Sequence, residues 1–245
     1  LLALLRGEGF QMAVVLDELP PLLFYVNHRS LPGYVRAATP AGLSGFEPSE
    51  EILAEAQRLT RSFTYKPRRS SPLAGKRPAP IHGLFLMGSL GTVAQAEQSD
   101  MDLWVCHDPA MEPRALAELQ RKCTLLEAWA ATQGAEVHCF LIDPARFTIG
   151  DREAQLTSDD CGTTQHYLLL DEFYRTAIWL GGRTPLWWLV PVYEEANYRG
   201  YTHALLSKRF VRAEEVLDLG NLARIPPGEF IGAGMWQLFK GIDSP

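Results

Sequence analysis

The four cysteines, Cys106, Cys123, Cys139 and Cys161, form no Cys-x-x-Cys pair. A zinc knuckle or a thioredoxin-type redox site therefore has no support. Three of them sit in apolar periodic segments, where free cysteine behaves as a small hydrophobe. That usage fits a reducing cytosol, and no basic–apolar–small-residue leader is visible. The cytoplasm is the expected compartment. No apolar run reaches the roughly 18 residues that span a bilayer. The best stretch, 177–193, is broken by Arg183, Gly181, Gly182, Pro185 and Pro191, so no membrane span is expected. A basic excess is also lacking: 23 Lys and Arg stand against 29 Asp and Glu, a net charge of −6. Broad nucleic-acid binding needs a basic surface and is excluded as an expectation. Gly-x-Gly-x-x-Gly, His-Glu-x-x-His and Gly-x-Ser-x-Gly are absent, which removes the dinucleotide, zincin and nucleophile-elbow readings. Gly83 and Gly88-Ser89 have P-loop spacing, but no Lys precedes the Ser. There is no internal repeat and no starting Met. The chain opens on Leu1-Leu2-Ala3-Leu4-Leu5, which reads as the inside of a helix and leads us to expect a piece of a longer protein.

What is present is an ordinary globular composition, 47% hydrophobic and 21% charged over 245 residues. Disorder of the whole chain is excluded, and the length suits one large domain or two small ones. Residues 11–26 read as helix, with a possible stop at Pro20-Pro21. Residues 48–60 read as a second helix, with Ser49 as N-cap and Glu50 and Glu51 at the positive end of the dipole. Residues 66–80 hold five basic residues, four prolines and no acid, so they read as a loop. Strands are expected at 81–87, 102–106 and 136–142. Between the last two lies a helix over 112–133, where Leu116, Leu119, Cys123, Leu126 and Ala130 recur at helical spacing and Gly134 closes it. A long helix over 163–180 follows. Shorter helices are expected around 193–207, 212–219 and 227–240, with a possible strand at 187–190. Three parts result: a helical lead-in and basic Pro-rich loop over 1–80, an α/β core over 81–150, and a mostly helical region over 151–245.

The chemistry is concentrated in Leu86-Met87-Gly88-Ser89, a ten-residue spacer, and Asp100-Met101-Asp102. Side chains alternate along a strand, so Asp100 and Asp102 share a face. Two adjacent carboxylates repel, and a divalent cation relieves the repulsion. Hard oxygen ligands favour Mg²⁺ or Mn²⁺. Glu136, at the start of the next strand, can bring a third carboxylate. Gly88-Ser89 is small enough for backbone N–H groups to approach a phosphate closely. This is the layout of two-metal phosphoryl chemistry.

An apolar residue, Gly-Ser, a spacer and Asp-x-Asp together resemble the DNA-polymerase-β-like nucleotidyltransferase superfamily. The surrounding blocks are more specific. Residues 99–107 (SDMDLWVCH), 120–127 (QRKCTLLE), 140–143 (FLID), 160–166 (DCGTTQH), 168–177 (LLLDEFYRTA) and 235–245 (MWQLFKGIDSP) resemble class I, enterobacterial-type adenylate cyclases. The resemblance runs from Gly83 to the end of the chain and is weaker over residues 1–80. It implies an α+β nucleotidyltransferase fold, with a small mixed sheet backed by helices and flanked by helical regions. It implies an enzyme that converts ATP to 3′,5′-cyclic AMP and pyrophosphate by in-line attack of the ribose 3′-hydroxyl on the α-phosphate. Asp100, Asp102 and Glu136 would hold the metals, with Glu136 near the 3′-hydroxyl. Gly88 and Ser89 would hold the β- and γ-phosphates. Arg175, Arg183 and Lys240 are candidates for the triphosphate charge, each with a surface ion pair as the competing explanation. Regulatory partners would act through a C-terminal half absent from this chain. The alternatives are transfer of the nucleotidyl group to a separate acceptor, or ATP binding without turnover.

Other signals are weaker. His107, His138 and His166 neighbour the interesting blocks, and His138 would share a strand face with Glu136. They have no common ligand spacing, so packing or capping is the expected role, with contact to the nucleotide open for His166. Trp104 lies on the carboxylate face, where adenine stacking competes with core packing. The basic loop reads as solvated, and Trp187-Trp188 as core.

Overall fold

The computed structural model describes residues 19–65, 78–87, 101–148 and 163–222, together with Ile231 and Met235. Two compact units emerge. One comprises the chain up to Ile142 with Ile178–Thr184, the other Asp143–Ala177 with the chain from Pro185 onward.

The first unit carries a four-stranded sheet in the order β3-β2-β1-β4. Its strands are β1 (Ile81–Met87), β2 (Met101–His107), β3 (Val137–Ile142) and β4 (Ile178–Gly182). β1 is antiparallel to β2 and β4, and β2 is parallel to β3. The sheet is therefore mixed. A parallel pair needs a crossover, and helix α3 (Pro113–Thr132) supplies it. Its buried face includes Leu119, Cys123, Leu126 and Ala130, four of the five residues of the stripe expected from the sequence, while Leu116 is half-buried. Leu119, Cys123 and Leu126 share one hydrophobic cluster with Leu84, Leu103, Val105 and Cys139 of the sheet. Helix α1, described over residues 19–25, adds Leu19, Leu22, Leu23 and Phe24 to the same core. Pro20 and Pro21 stand among the first described residues of this helix, and the expected helical stretch over 11–18 lies outside the described residues. Helix α2 (Glu50–Leu59) has the expected cap: the Ser49 hydroxyl accepts the Ile52 N–H at 3.3 Å. The lead-in belongs to this unit, since Ser44 N–H donates to the Ile81 carbonyl and Ile81 N–H to that of Gly42.

One member of the α3 face was not expected inside. Lys122 is buried, and its Nζ donates to the Gly33 carbonyl at 3.2 Å. Burial lowers its pKa from 10.5 to about 8, while nearby Cys123 acts in the opposite sense. Between those two values the unfolded chain holds a proton that the folded chain has released, so stability rises with pH across this window. The full difference corresponds to about 3 kcal/mol. The penalty is constant below the folded pKa and is relieved as pH rises through it. Urea unfolding between pH 7 and 10 is expected to show wild type gaining stability relative to Lys122→Met above pH 8. A pH-independent difference between the two would contradict this.

The second unit contains α4 (Pro144–Thr148), α5 (Thr163–Thr176) and α6 (Tyr198–Ser207), with 3₁₀ turns at Leu186–Leu189, Val192–Asn197 and Ala213–Glu215. Short strands β5 (Thr184–Pro185), of which Pro185 belongs to this unit, and β6 (Val216–Leu217) pair as a second sheet. Asp143 accepts the N–H groups of Ala145 and Arg146 and so starts α4. Tyr174 ties the unit together. Its hydroxyl donates to Gly220 O at 2.6 Å, its carbonyl accepts Trp188 Nε1 at 2.8 Å, and its ring stacks on Trp187.

Several expectations change. The helix expected over 163–180 ends at Thr176, and Ile178–Gly182 becomes strand β4. Both assignments fit an apolar run; the open edge of β1 decides for the strand. The possible strand at 187–190 is a 3₁₀ turn between Pro185 and Pro191. The helix over 193–207 is a 3₁₀ turn continued by α6, and 212–219 is a 3₁₀ turn followed by β6. Apart from Ile231 and Met235, the expected helix over 227–240 lies outside the described residues. Among the described residues, no helix is long and apolar enough to cross a membrane.

Candidate active site

Alternation along β2 separates two faces. Met101, Leu103 and Val105 join the hydrophobic clusters on the helical side. Asp102, Trp104 and Cys106 therefore project from the other face. Register then brings specific partners beside them. Asp102 pairs with Met87, the last residue of β1, and on its other side with His138 of β3. The chain leaves Met87 directly into Gly88-Ser89. Met101 pairs with Val137, and its N–H donates to the Glu136 carbonyl at 3.0 Å. The start of β2, the start of β3 and the end of β1 thus share one end of the sheet.

Asp102 is half-buried there. Glu136 and His138 are more open, with side chains 64% and 49% exposed, and Glu136 Oε1 lies 3.2 Å from His138 Nε2. Two of the three expected carboxylates, with an imidazole between them in the pattern, therefore occupy one strand end. The third, Asp100, immediately precedes β2 and lies outside the described residues, as do Gly88, Ser89 and Lys240. Among the described residues no three ligating groups converge closely enough to hold a metal. The donor types present nevertheless suit a hard divalent cation, because Asp102 and Glu136 offer carboxylate oxygens and Asp102 is already partly withdrawn from water.

Immediately inboard of this polar row lies an aromatic one. Trp104 pairs with Phe85 and Phe140, and Phe85 pairs with Trp179. Four aromatics therefore cross all four strands, two residues from Asp102, or about 7 Å along β2. Trp104 is 2% exposed, so it packs in the interior as the plainer of its two expected roles had it. Trp179, at the outer end, is 49% exposed. The row was not visible in the sequence, because only strand register assembles residues 85, 104, 140 and 179.

The expected cations are placed differently. Arg183 follows β4, and its N–H donates to the His82 carbonyl at 2.7 Å. His82 is five positions along β1 from Met87, the partner of Asp102, about 17 Å at strand rise. Antiparallel pairing sends the end of β4 away from the carboxylates, so Arg183 is not brought to them. It stands instead beside buried His82, whose pKa falls to about 4 through burial and then the Arg183 charge. Arg175 is in the other unit, on α5. Its Nε donates to Asp171 Oδ1 at 2.7 Å, an exposed i,i+4 pair. His107 is buried with Nδ1 3.0 Å from the Asp108 carbonyl, the packing role expected of it. His166 lies on α5.

The adenylate cyclase N-terminal domain family matches residues 6–188. The adenylate cyclase of Salmonella typhimurium is 43% identical over 98% of this chain, that of Escherichia coli K12 is 42% identical over 98%, and that of Proteus mirabilis is 41% identical over 92%. The chain covers 26–27% of the length of these relatives. No solved structure matches it. A family match that runs through β1, β2, α3 and β3, and through both described carboxylates, establishes that the chain belongs to the adenylate cyclase N-terminal domain family.

Proposed function

We propose that this chain is the catalytic part of an adenylate cyclase, built on a nucleotidyltransferase-type sheet, and that it converts ATP to 3′,5′-cyclic AMP and pyrophosphate. The observation that carries the proposal is the register pairing of Asp102 with both Met87 and His138. It sets a carboxylate between the strand that runs into Gly88-Ser89 and the strand that begins after Glu136. The chain's similarity to proteins named adenylate cyclase supports the same reading.

Asp100, Asp102 and Glu136 would hold Mg²⁺ or Mn²⁺, ions that when bound stabilise charge on attacking and leaving oxygens. Gly88 and Ser89 would grip the β- and γ-phosphates through backbone N–H groups and the hydroxyl. Arg175 and Lys240 are the proposed counter-charges of the triphosphate; Arg183, at the far end of β1, is assigned none. Glu136 would accept the 3′-hydroxyl proton. The 3′ oxygen forms a bond to the α-phosphorus, the bond from that phosphorus to the bridging oxygen breaks, and pyrophosphate leaves with the electron pair. Because both reacting groups belong to one molecule, the site's main task is to hold ATP bent with the 3′ oxygen in line. The cytoplasm, where ATP is plentiful, is the proposed compartment. Control by other proteins would act through the part of the longer relatives that this chain does not span.

Incubation of the purified chain with ATP and Mn²⁺ or Mg²⁺, with products resolved by chromatography, tests the reading. Cyclic AMP and pyrophosphate are expected in equal amounts. Pyrophosphate without cyclic AMP would indicate transfer to an acceptor, and no turnover would overturn catalysis by this chain alone.

A further inference from the structure

We propose that His138 is a positioning residue: its imidazole holds the Glu136 carboxylate in place at the metal end of the sheet. The inference rests on the reading of Asp102 and Glu136 as metal-holding groups. Three observations support it. His138 is the direct register partner of Asp102 on β3, so their side chains leave the sheet on the same face. Its Nε2 lies 3.2 Å from Glu136 Oε1, within hydrogen-bond reach. And its side chain is half-exposed, so core packing does not account for it.

Glu136 precedes the first residue of β3 and is itself largely exposed. An exposed glutamate at a strand end has several side-chain rotamers open to it, and ordering them costs conformational entropy on binding. A ring N–H donated from two residues further along the strand restrains one carboxylate oxygen and leaves the other available. Imidazole suits this role: it is planar, has only two side-chain torsions, and stands on a strand rather than a loop. In this arrangement Nε2 carries the proton and donates, and Glu136 accepts. Groups that hydrogen-bond a metal-ligating side chain commonly change metal affinity by about 10- to 100-fold when removed.

The test is Mn²⁺ binding to the 245-residue chain, followed by the electron paramagnetic resonance signal of free Mn²⁺ without nucleotide. His138→Ala is expected to weaken binding by about 10- to 100-fold with an unchanged melting temperature. His138→Gln, whose terminal amide N–H can reach the same oxygen, is expected to recover most of the loss. Wild-type affinity in His138→Ala, with binding lost in Asp102→Asn, would overturn the role of His138 and leave the carboxylate reading standing. Equal weakening in the Ala and Gln variants would overturn the hydrogen bond as its cause. Mn²⁺ binding undisturbed in both Asp102→Asn and Glu136→Gln, or no binding by the wild-type chain, would overturn the carboxylate reading and this proposal with it.

Discussion

Asp102→Asn is expected to reduce cyclic AMP formation by about a thousandfold or more and to leave the fold intact. Asparagine keeps the shape of the side chain and removes its charge. The ladder around residue 102 is made by backbone groups pairing with Met87 and His138, and these do not depend on the carboxylate. Asp102 is half-buried, so its replacement creates no large cavity. What is lost is the anionic oxygen that a hard cation requires. Metal-based charge stabilisation contributes several kcal/mol to such reactions, and each 1.36 kcal/mol is a tenfold change in rate. The measurement is the initial rate of cyclic AMP production at saturating Mn²⁺, paired with thermal unfolding of the same sample. A variant that melts like wild type but retains a tenth of the rate or more would remove Asp102 from the machinery.

Gly182→Ala is expected to destabilise the chain by about 3 kcal/mol or more. Gly182 closes β4 at φ +100° and pairs with Gly83 of β1. An added Cβ would lie 2.5 Å from both the Gly83 Cα and the His82 carbonyl oxygen. Neither obstacle is a side chain that can rotate away. Both are backbone of the strand that joins β2 to β4. Relief requires the two strands to separate, and the left-handed conformation adds its own cost. Gly134→Ala is the control, because Gly134 is also left-handed, at φ +80°, with nothing within 4 Å of an added Cβ. It should cost only about 1–2 kcal/mol, the conformational part. Urea unfolding of the two variants separates the terms, and equal costs would show that the close approach of β1 and β4 is relaxed at little expense.

Where local signals were strong and self-consistent, elements were legible in the sequence. β1 has the expected limits, and α3, between Pro113 and Thr132, buries the expected stripe from Leu119 to Ala130, with Leu116 half-buried. Ser49 caps α2 because a hydroxyl before two glutamates needs nothing but its own helix. Ile178 to Leu180 was misread as helix because its apolar residues satisfy either period over so short a span. Lys122 was hidden for a related reason: a lysine within a helical stripe ordinarily lies at the surface, and only the approach of Gly33 makes an interior position tenable.

By itself, the sequence determined that Asp100 and Asp102 lie two apart after a ten-residue spacer from Ser89, with Asp102 in a strand, and that Glu136 lies at the start of the strand segment following the crossover helix, immediately before Val137. Those are local properties of alternation, capping and spacing. Tertiary structure alone decided which residues meet across the strands. Parallel register set His138 beside Asp102, and antiparallel β4 carried Arg183 to the far end of the sheet. Pairing also aligned Trp179, Phe85, Trp104 and Phe140 in one row. Register depends on burying one whole face of every strand at once, and that is a property of the assembled sheet rather than of any segment within it.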